Sequence, residues 1–151
     1  MRKQAQRAQS RLHLRMLDEA YDKPAWHGPN LRSALRGVRA KQAAWRPAPS
    51  RHNIWEIVVH AAYWKYVVRR RLRRAFPYKG SNWFARPAGA RSEKAWRRDV
   101  ALLAQVHRAL RATVAGLGSK VSNANLIYGI ACHDVYHAGQ IRLLRRLQTK
   151  S

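Results

Sequence analysis

The segment LIYGIACHDVYHAGQIRLL, residues 126–144, decides the fold class of this sequence. Its apolar residues and its two histidines recur at spacings of three and four along one stripe: Leu126, Ile130, His133, His137, Ile141 and Leu144. Such spacing is typical of one face of an amphipathic helix, whereas a half-buried strand alternates every second residue. The segment therefore predicts a long helix that turns two histidines towards a core.

Three further segments have the same helical periodicity and predict long helices: residues 4–21, residues 51–74, and a segment that Ser92 opens and that extends through Val114. Residues 31–45 predict a short helical connection that is broken around Gly37. We expect serine N-caps for three of the helices, at Ser50, Ser92 and Ser122. No segment favours a strand, and four long amphipathic helices pack most simply as an all-α four-helix bundle.

The composition indicates a folded chain with a one-sided charge. The 151 residues include 31 Lys and Arg against 7 Asp and Glu, a net charge of +24, yet 46% of them are hydrophobic. Disordered polycations combine high charge with low hydrophobicity, so this class is excluded. The length suits one domain, and we expect a single bundle over residues 1–151 with a core at roughly 4–148.

Cysteine content and apolar runs bear on the compartment. Cys132 is the single cysteine, which excludes an internal disulfide or a cysteine-based zinc cluster. The basic N-terminal segment lacks the apolar core of a signal peptide. The longest apolar stretch, residues 54–63, is interrupted by Glu56 and His60 and is too short to span a bilayer. We therefore expect a cytoplasmic protein without a membrane span.

His133 and His137 are the strongest candidates for chemistry. Four residues apart on a helix, two imidazoles share one face with Cβ atoms about 5–6 Å apart, so both can reach one metal ion at about 2.0–2.1 Å. His60 holds a similar core-facing position on the 51–74 helix. The three rings could converge on a divalent metal and leave one coordination position for water or substrate. Alternatively, each is a hydrogen-bonded core histidine, and spacing alone does not decide between these interpretations.

Glu56 is a candidate for a supporting role because it precedes His60 by one helical turn. Its carboxylate could accept the second ring N–H of His60 and so fix the tautomer of a metal ligand. It could equally be an exposed partner of Arg51 or Lys65.

Other polar residues near the candidate ligands leave similar alternatives. Asp134 and Gln140 lie beside the histidine pair, and Gln140 could hydrogen-bond a ligating ring or the substrate, or simply pack. His27 and His52 could line the mouth of a pocket or serve as local caps. Cys132 is expected to be a small buried hydrophobe.

Four stretches of the chain resemble the DinB/YfiT-like family of metal-binding proteins. They are HNIWE at residues 52–56, HAAYW at 60–64, HDVYHAGQI at 133–141 and AWHGPNL at 25–31. The resemblance covers roughly residues 12–148. Its most specific part is the C-terminal motif.

The resemblance implies a four-helix bundle in up-down-down-up order that holds a divalent metal, zinc or nickel, with three histidines. Matched residue by residue, these are His60, His133 and His137. Some members of the family resemble thiol-dependent transferases or isomerases that use small thiols, and others have no assigned reaction. The implied function is a metal-dependent enzyme of the hydrolase or small-thiol-dependent transferase type, acting on an unidentified small molecule.

The positive charge supports alternative functions. A basic surface attracts nucleic acid through counterion release, so non-specific polyanion binding is expected in vitro. A basic nucleic-acid-binding helical protein with structural histidines is one alternative, although no helix-turn-helix, zinc-finger or RNP-like motif is present. A non-catalytic homodimeric scaffold is another, and an apolar helix face left over after bundle packing would favour it.

Overall fold

The computed structural model describes residues 1–73, 80–84, 92–121 and 123–148. These ranges contain six α-helices and no strand: α1 (Arg2–Tyr21), α2 (Leu31–Ala34), α3 (Ala40–Ala44), α4 (Ile54–Leu72), α5 (Glu93–Leu117) and α6 (Ala124–Gln148). A 3-10 turn, Gly118–Lys120, follows α5. The predicted all-α fold is confirmed, and α1, α4, α5 and α6 are its long helices.

The start of α4 differs from the predicted one. Asn53, rather than Ser50, is the N-cap: its side chain accepts a hydrogen bond from Glu56 N at 2.8 Å, and the Glu56 carboxylate accepts one from Asn53 N at 3.2 Å. This reciprocal pair satisfies two backbone N–H groups that the first turn leaves without partners. Ser92 does cap α5, accepting from Ala95 N at 3.2 Å, whereas Ser122 lies outside the described residues.

Contacts at both ends of α4 define how the long helices run. Near its start Trp55 Nε1 donates to Asp99 of α5 at 2.7 Å, and near its end Arg69 Nε donates to Thr113 of α5 at 3.3 Å. The helices α4 and α5 are therefore parallel. The helix α6 packs against both α4 and α1. A parallel α4–α5 pair is compatible with the up-down-down-up order, which as a whole stays a prediction.

The core consists of two apolar clusters with a buried polar layer between them. One cluster contains Ile54, Val58, Leu103 and Ile141, and the other contains Leu17, Leu110 and Ile127. On α4, α5 and α6, the polar residues Lys65, His107 and Asp134 fall between the members of the two clusters. This layer places charged groups at the centre of the bundle.

The outer side of α6 carries a stripe of exposed apolar residues: Tyr128, Tyr136, Leu143 and Leu147. Cys132 falls on the same side and is exposed, so the expectation that it is buried was wrong. The rotation of about 100° per helical residue that separates it from His133 turns it outwards. None of the described helices combines the length and the apolar character needed to cross a membrane.

Candidate metal centre

Three histidine side chains from α4 and α6 meet beside the core. His133 Nε2 lies 3.1 Å from His60 Nε2 and 3.1 Å from His137 Nε2. The ligand atoms of all three rings lie within 4.8 Å of one another. In tetrahedral coordination at about 2.0–2.1 Å, two nitrogen ligands are about 3.3 Å apart. The cluster is therefore close to the geometry of a shared metal ion.

Hydrogen bonds at the far side of two rings select the tautomer that a metal needs. His60 Nδ1 is 3.0 Å from the carbonyl oxygen of Asn82, and His137 Nδ1 is 2.7 Å from Gln140 Oε1. Because both oxygens can only accept, both Nδ1 atoms carry the proton. The Nε2 atoms of His60 and His137 therefore direct lone pairs towards the third ring, as ligating imidazoles do.

His133 lies between the other two rings, and its Nε2 contacts both of them. Its Nδ1 is buried without a hydrogen-bond partner in the described part of the chain. Its Nε2 faces two unprotonated nitrogens, and a single ring proton can satisfy only one of them. A cation placed among the three nitrogens would accept all three lone pairs at once.

Burial keeps the three rings neutral. It lowers the pKa of His133 to about 3, with the neighbouring histidines and Lys65 acting in the same direction. Burial also lowers the pKa of His137 to about 4, against the opposing effect of its hydrogen bond to Gln140, and lowers the pKa of His60. Neutral imidazole is the form that binds metal. Near pH 7 the three rings are therefore in the protonation state that metal binding requires.

Two indole rings pack against His60. The ring centroid of Trp83 lies 5.0 Å from that of His60, and Trp64 meets the same ring edge-on at 6.3 Å. His60 and His133 are half-buried, whereas His137 is buried. Two of the three rings therefore keep some exposed surface.

Glu56 does not orient His60, because the structure gives each of them other partners. The Glu56 carboxylate accepts from the Arg46 guanidinium, with one bond of 2.9 Å, and from Asn53 N. Arg46, rather than Arg51 or Lys65, is its ion-pair partner. Glu56 thus stabilises the start of α4.

Of the other residues predicted to lie near the site, Gln140 contacts the cluster, whereas His52 and His27 do not. Gln140 holds the His137 ring and donates from Nε2 to the Tyr136 hydroxyl at 2.9 Å. His52 Nδ1 lies 3.1 Å from the Glu56 carboxylate at the start of α4, and its ring is 5.2 Å from that of Trp83. His27 is exposed on the turn between α1 and α2 and contacts none of the three histidines.

Asp134 does not face the cluster although it follows His133 directly. Its side chain is fully buried and forms an ion pair with Lys65 of α4, which is also fully buried. Burial raises the pKa of Asp134 to about 6, against the opposing effect of Lys65. Asp134 therefore joins the two helices that carry the histidines.

The chain is thus a helical bundle with a three-histidine cluster on two packed helices. The family model of the DinB superfamily matches residues 23–141, a range that includes all three histidines. The chain belongs to the DinB superfamily. Neither the comparison with curated proteins nor that with solved structures gave a significant match.

Proposed function

We propose that this protein binds one divalent metal ion and that His60, His133 and His137 are the ligands. The observation that carries the proposal is the convergence of three Nε2 atoms, two of which are held unprotonated by Asn82 and Gln140. Buried histidines with purely structural roles would satisfy both ring nitrogens separately. Here the Nδ1 atoms of His60 and His137 have partners outside the cluster, whereas the three Nε2 atoms face only one another.

Zinc and nickel are the metals we propose. Imidazole nitrogen suits zinc, copper, iron and nickel, and three protein ligands with an open position are the pattern of catalytic zinc. No carboxylate in the described part of the chain joins the cluster. Oxygen-seeking magnesium and calcium are therefore disfavoured.

We further propose a metal-dependent enzyme of the hydrolase or small-thiol-dependent transferase type. A metal bound there would lower the pKa of a water or thiol in its open position and generate a nucleophile near pH 7. Trp83 and Trp64 would exclude water from one side of the substrate and contact its apolar part. The net charge of +24 would attract an anionic substrate.

Metal analysis of the purified full chain tests the binding proposal. After loading with zinc or nickel and removal of free ions, we expect about one ion per chain in the wild type. We expect much less than one ion in His137→Ala. The matched control His27→Ala removes an exposed histidine and should retain the full content. Equal metal content in wild type and His137→Ala would refute the three-histidine site.

The reaction requires a separate measurement. Loaded protein is screened for transfer of small thiols to electrophiles and for hydrolysis of activated esters and amides. Activity that is present with metal, absent in His133→Ala and unaffected in His27→Ala would support the enzyme proposal. Lack of turnover by fully loaded protein across both screens would favour a non-catalytic metal-binding protein.

A homodimer is supported by one specific observation, the exposed apolar stripe on α6. Its four large side chains are between 39% and 63% exposed, and large apolar patches on single chains mark interaction surfaces. We propose that two copies pair through it. Sedimentation of wild type and Leu143→Glu tests this, with Leu12→Glu on α1 as control. A monomeric wild type would contradict the dimer, and with it the scaffold alternative.

A further inference from the structure

A cleft of about 1130 Å³ lies away from the histidine cluster, among the C-terminal part of α1, α2 and α5. None of the three histidines lines it. Ligand pockets are commonly about 300–1,000 Å³, so the cleft can admit a small organic molecule.

Four guanidinium groups line the cleft, and two of them lack an acidic partner. Arg32 pairs with Asp22 at 3.5 Å, and Arg97 with Glu93 at 3.7 Å. Arg36 and Arg108 are exposed, and their guanidinium groups form no hydrogen bond or salt bridge with any other residue in the ranges described. They come from two different elements, the segment after α2 and the middle of α5.

The lining acids are already occupied. Glu93 accepts from Ala40 N at 3.0 Å in addition to its contact with Arg97, and Asp22 faces Arg32. Unpaired positive charge in a concave site concentrates the field and attracts anions. The cleft therefore has unpaired positive charge and no unpaired acid among its described residues.

Stacked rings of Tyr21 and His107 line the same cleft, with centroids 3.8 Å apart and planes 17° from parallel. The Lys65 ammonium donates to His107 Nδ1 at 3.3 Å, so the ring proton of His107 is on Nε2. Burial and Lys65 lower the pKa of His107 to about 3, and burial raises that of Tyr21 to about 12. Both groups are neutral at pH 7 and retain a proton to donate.

The α5 side of the cleft is apolar. Val100, Ala101 and Ala104 line it over two neighbouring turns. Trp96 adds an indole whose N–H donates to the Val38 carbonyl at 2.8 Å. A flat apolar body would bury surface against this wall without leaving a polar group unpaired. The cleft thus combines an apolar wall with hydrogen-bond donors and cations.

We propose that this cleft binds a phosphomonoester of a flat apolar group. Arg36 and Arg108 supply the positive charge that holds the phosphate, and the wall of Val100 and Ala104 contacts the apolar body. A phosphomonoester carries a charge of about −1.5 to −2 at pH 7 and three acceptor oxygens, which matches two unpaired guanidiniums and neighbouring donors. Arginine suits this role because its planar fork pairs with phosphate oxygens in a bidentate manner.

Titration calorimetry of the full chain with 1-naphthyl phosphate tests the proposal at about 0.15 M salt, where diffuse attraction between exposed charges is largely screened. We expect one saturable site per chain. The double variant Arg36→Gln/Arg108→Gln should bind at least about tenfold more weakly, a loss of about 1.4 kcal/mol, because it removes both unpaired guanidinium charges.

The matched control is Arg11→Gln/Arg142→Gln, which removes the same charge from exposed positions on α1 and α6 outside the cleft. It should bind within about twofold of the wild type. Inorganic phosphate and 1-naphthol, which each lack half of the ligand, should bind more weakly than 1-naphthyl phosphate. Equal losses in the two double variants, or no saturable binding by the wild type, would overturn the proposal, as would equally tight binding of 1-naphthol.

Discussion

Lys65 of α4 and Asp134 of α6 form an ion pair in which neither side chain has any exposed surface. Lys65 lies five residues after His60, and Asp134 follows His133 directly. The pair therefore fixes the two helices that carry the candidate ligands at a point close to the cluster. His107 Nδ1, at 3.3 Å, is a second acceptor for the same ammonium.

Removing one partner of this pair should destabilise the fold strongly. Lys65→Met leaves the Asp134 carboxyl buried without its cation, a change that typically costs about 3–5 kcal/mol. Urea unfolding of the chain measures the loss. The double variant Lys65→Met/Asp134→Leu should recover much of it, because apolar pairs of similar volume often replace buried ion pairs at little cost. A double variant as unstable as Lys65→Met would contradict this explanation.

The free energy of unfolding should decrease as the pH falls, and His107 should contribute to this decrease. Burial and Lys65 lower its pKa from 6.5 to about 3 in the folded chain. Between these values the unfolded chain takes up a proton that the folded chain does not. The free energy of unfolding therefore decreases as the pH falls, by up to about 1.4 kcal/mol per pH unit from this residue.

The variant His107→Gln isolates this contribution. Its unfolding free energy, followed by urea denaturation between pH 4 and pH 6, should depend less steeply on pH than that of the wild type. His27→Gln, an exposed control, should keep the wild-type slope. Parallel slopes for wild type and His107→Gln would show that the ring does not resist protonation.

Gln140 should support metal binding without being a ligand. Its Oε1 accepts from His137 Nδ1 at 2.7 Å and so holds the tautomer whose Nε2 faces the cluster. Loss of such a partner typically lowers metal affinity about 10–100-fold. Competition with a chelator measures the affinity of Gln140→Ala for zinc. Gln105→Ala, an exposed change on α5, is the control, and an unchanged affinity for Gln140→Ala would contradict the role.

The N-cap of α4 gives a stability test with a built-in control. Asn53→Ala removes the bond to Glu56 N and a second bond to the Ala44 carbonyl at 3.3 Å. Loss of an N-cap costs about 0.5–2 kcal/mol. Ser50→Ala, at the position that the sequence suggested, should change the unfolding free energy by less than about 0.5 kcal/mol. Similar losses for both variants would contradict the observed cap.

Helical periodicity was sufficient to predict the long helices and the facing histidines. His133 and His137 stand out because a spacing of four places two rings on one face, and His60 occupies the equivalent stripe of another helix. The predicted cap of α4 lay three residues too early. Serine and asparagine are about equally good N-caps, so residue type alone could not decide between Ser50 and Asn53.

Contacts that depend on tertiary packing could not be predicted from the sequence. Asn82 and Trp83 come from an irregular segment whose path no periodicity defines, although they touch His60. Lys65 was considered only as an exposed partner of Glu56, because lysine is almost never fully buried unless paired. Its partner Asp134 could be recognised only once α4 and α6 were packed together.

X-ray absorption at the zinc edge of loaded protein tests the three-histidine site most directly, because it counts and identifies the ligands. Three imidazole nitrogens at about 2.0–2.1 Å are expected in the wild type, and two in any His133→Ala protein that retains zinc. A wild-type spectrum with sulfur from Cys132 in the first shell, or with fewer than three imidazoles, would contradict the account.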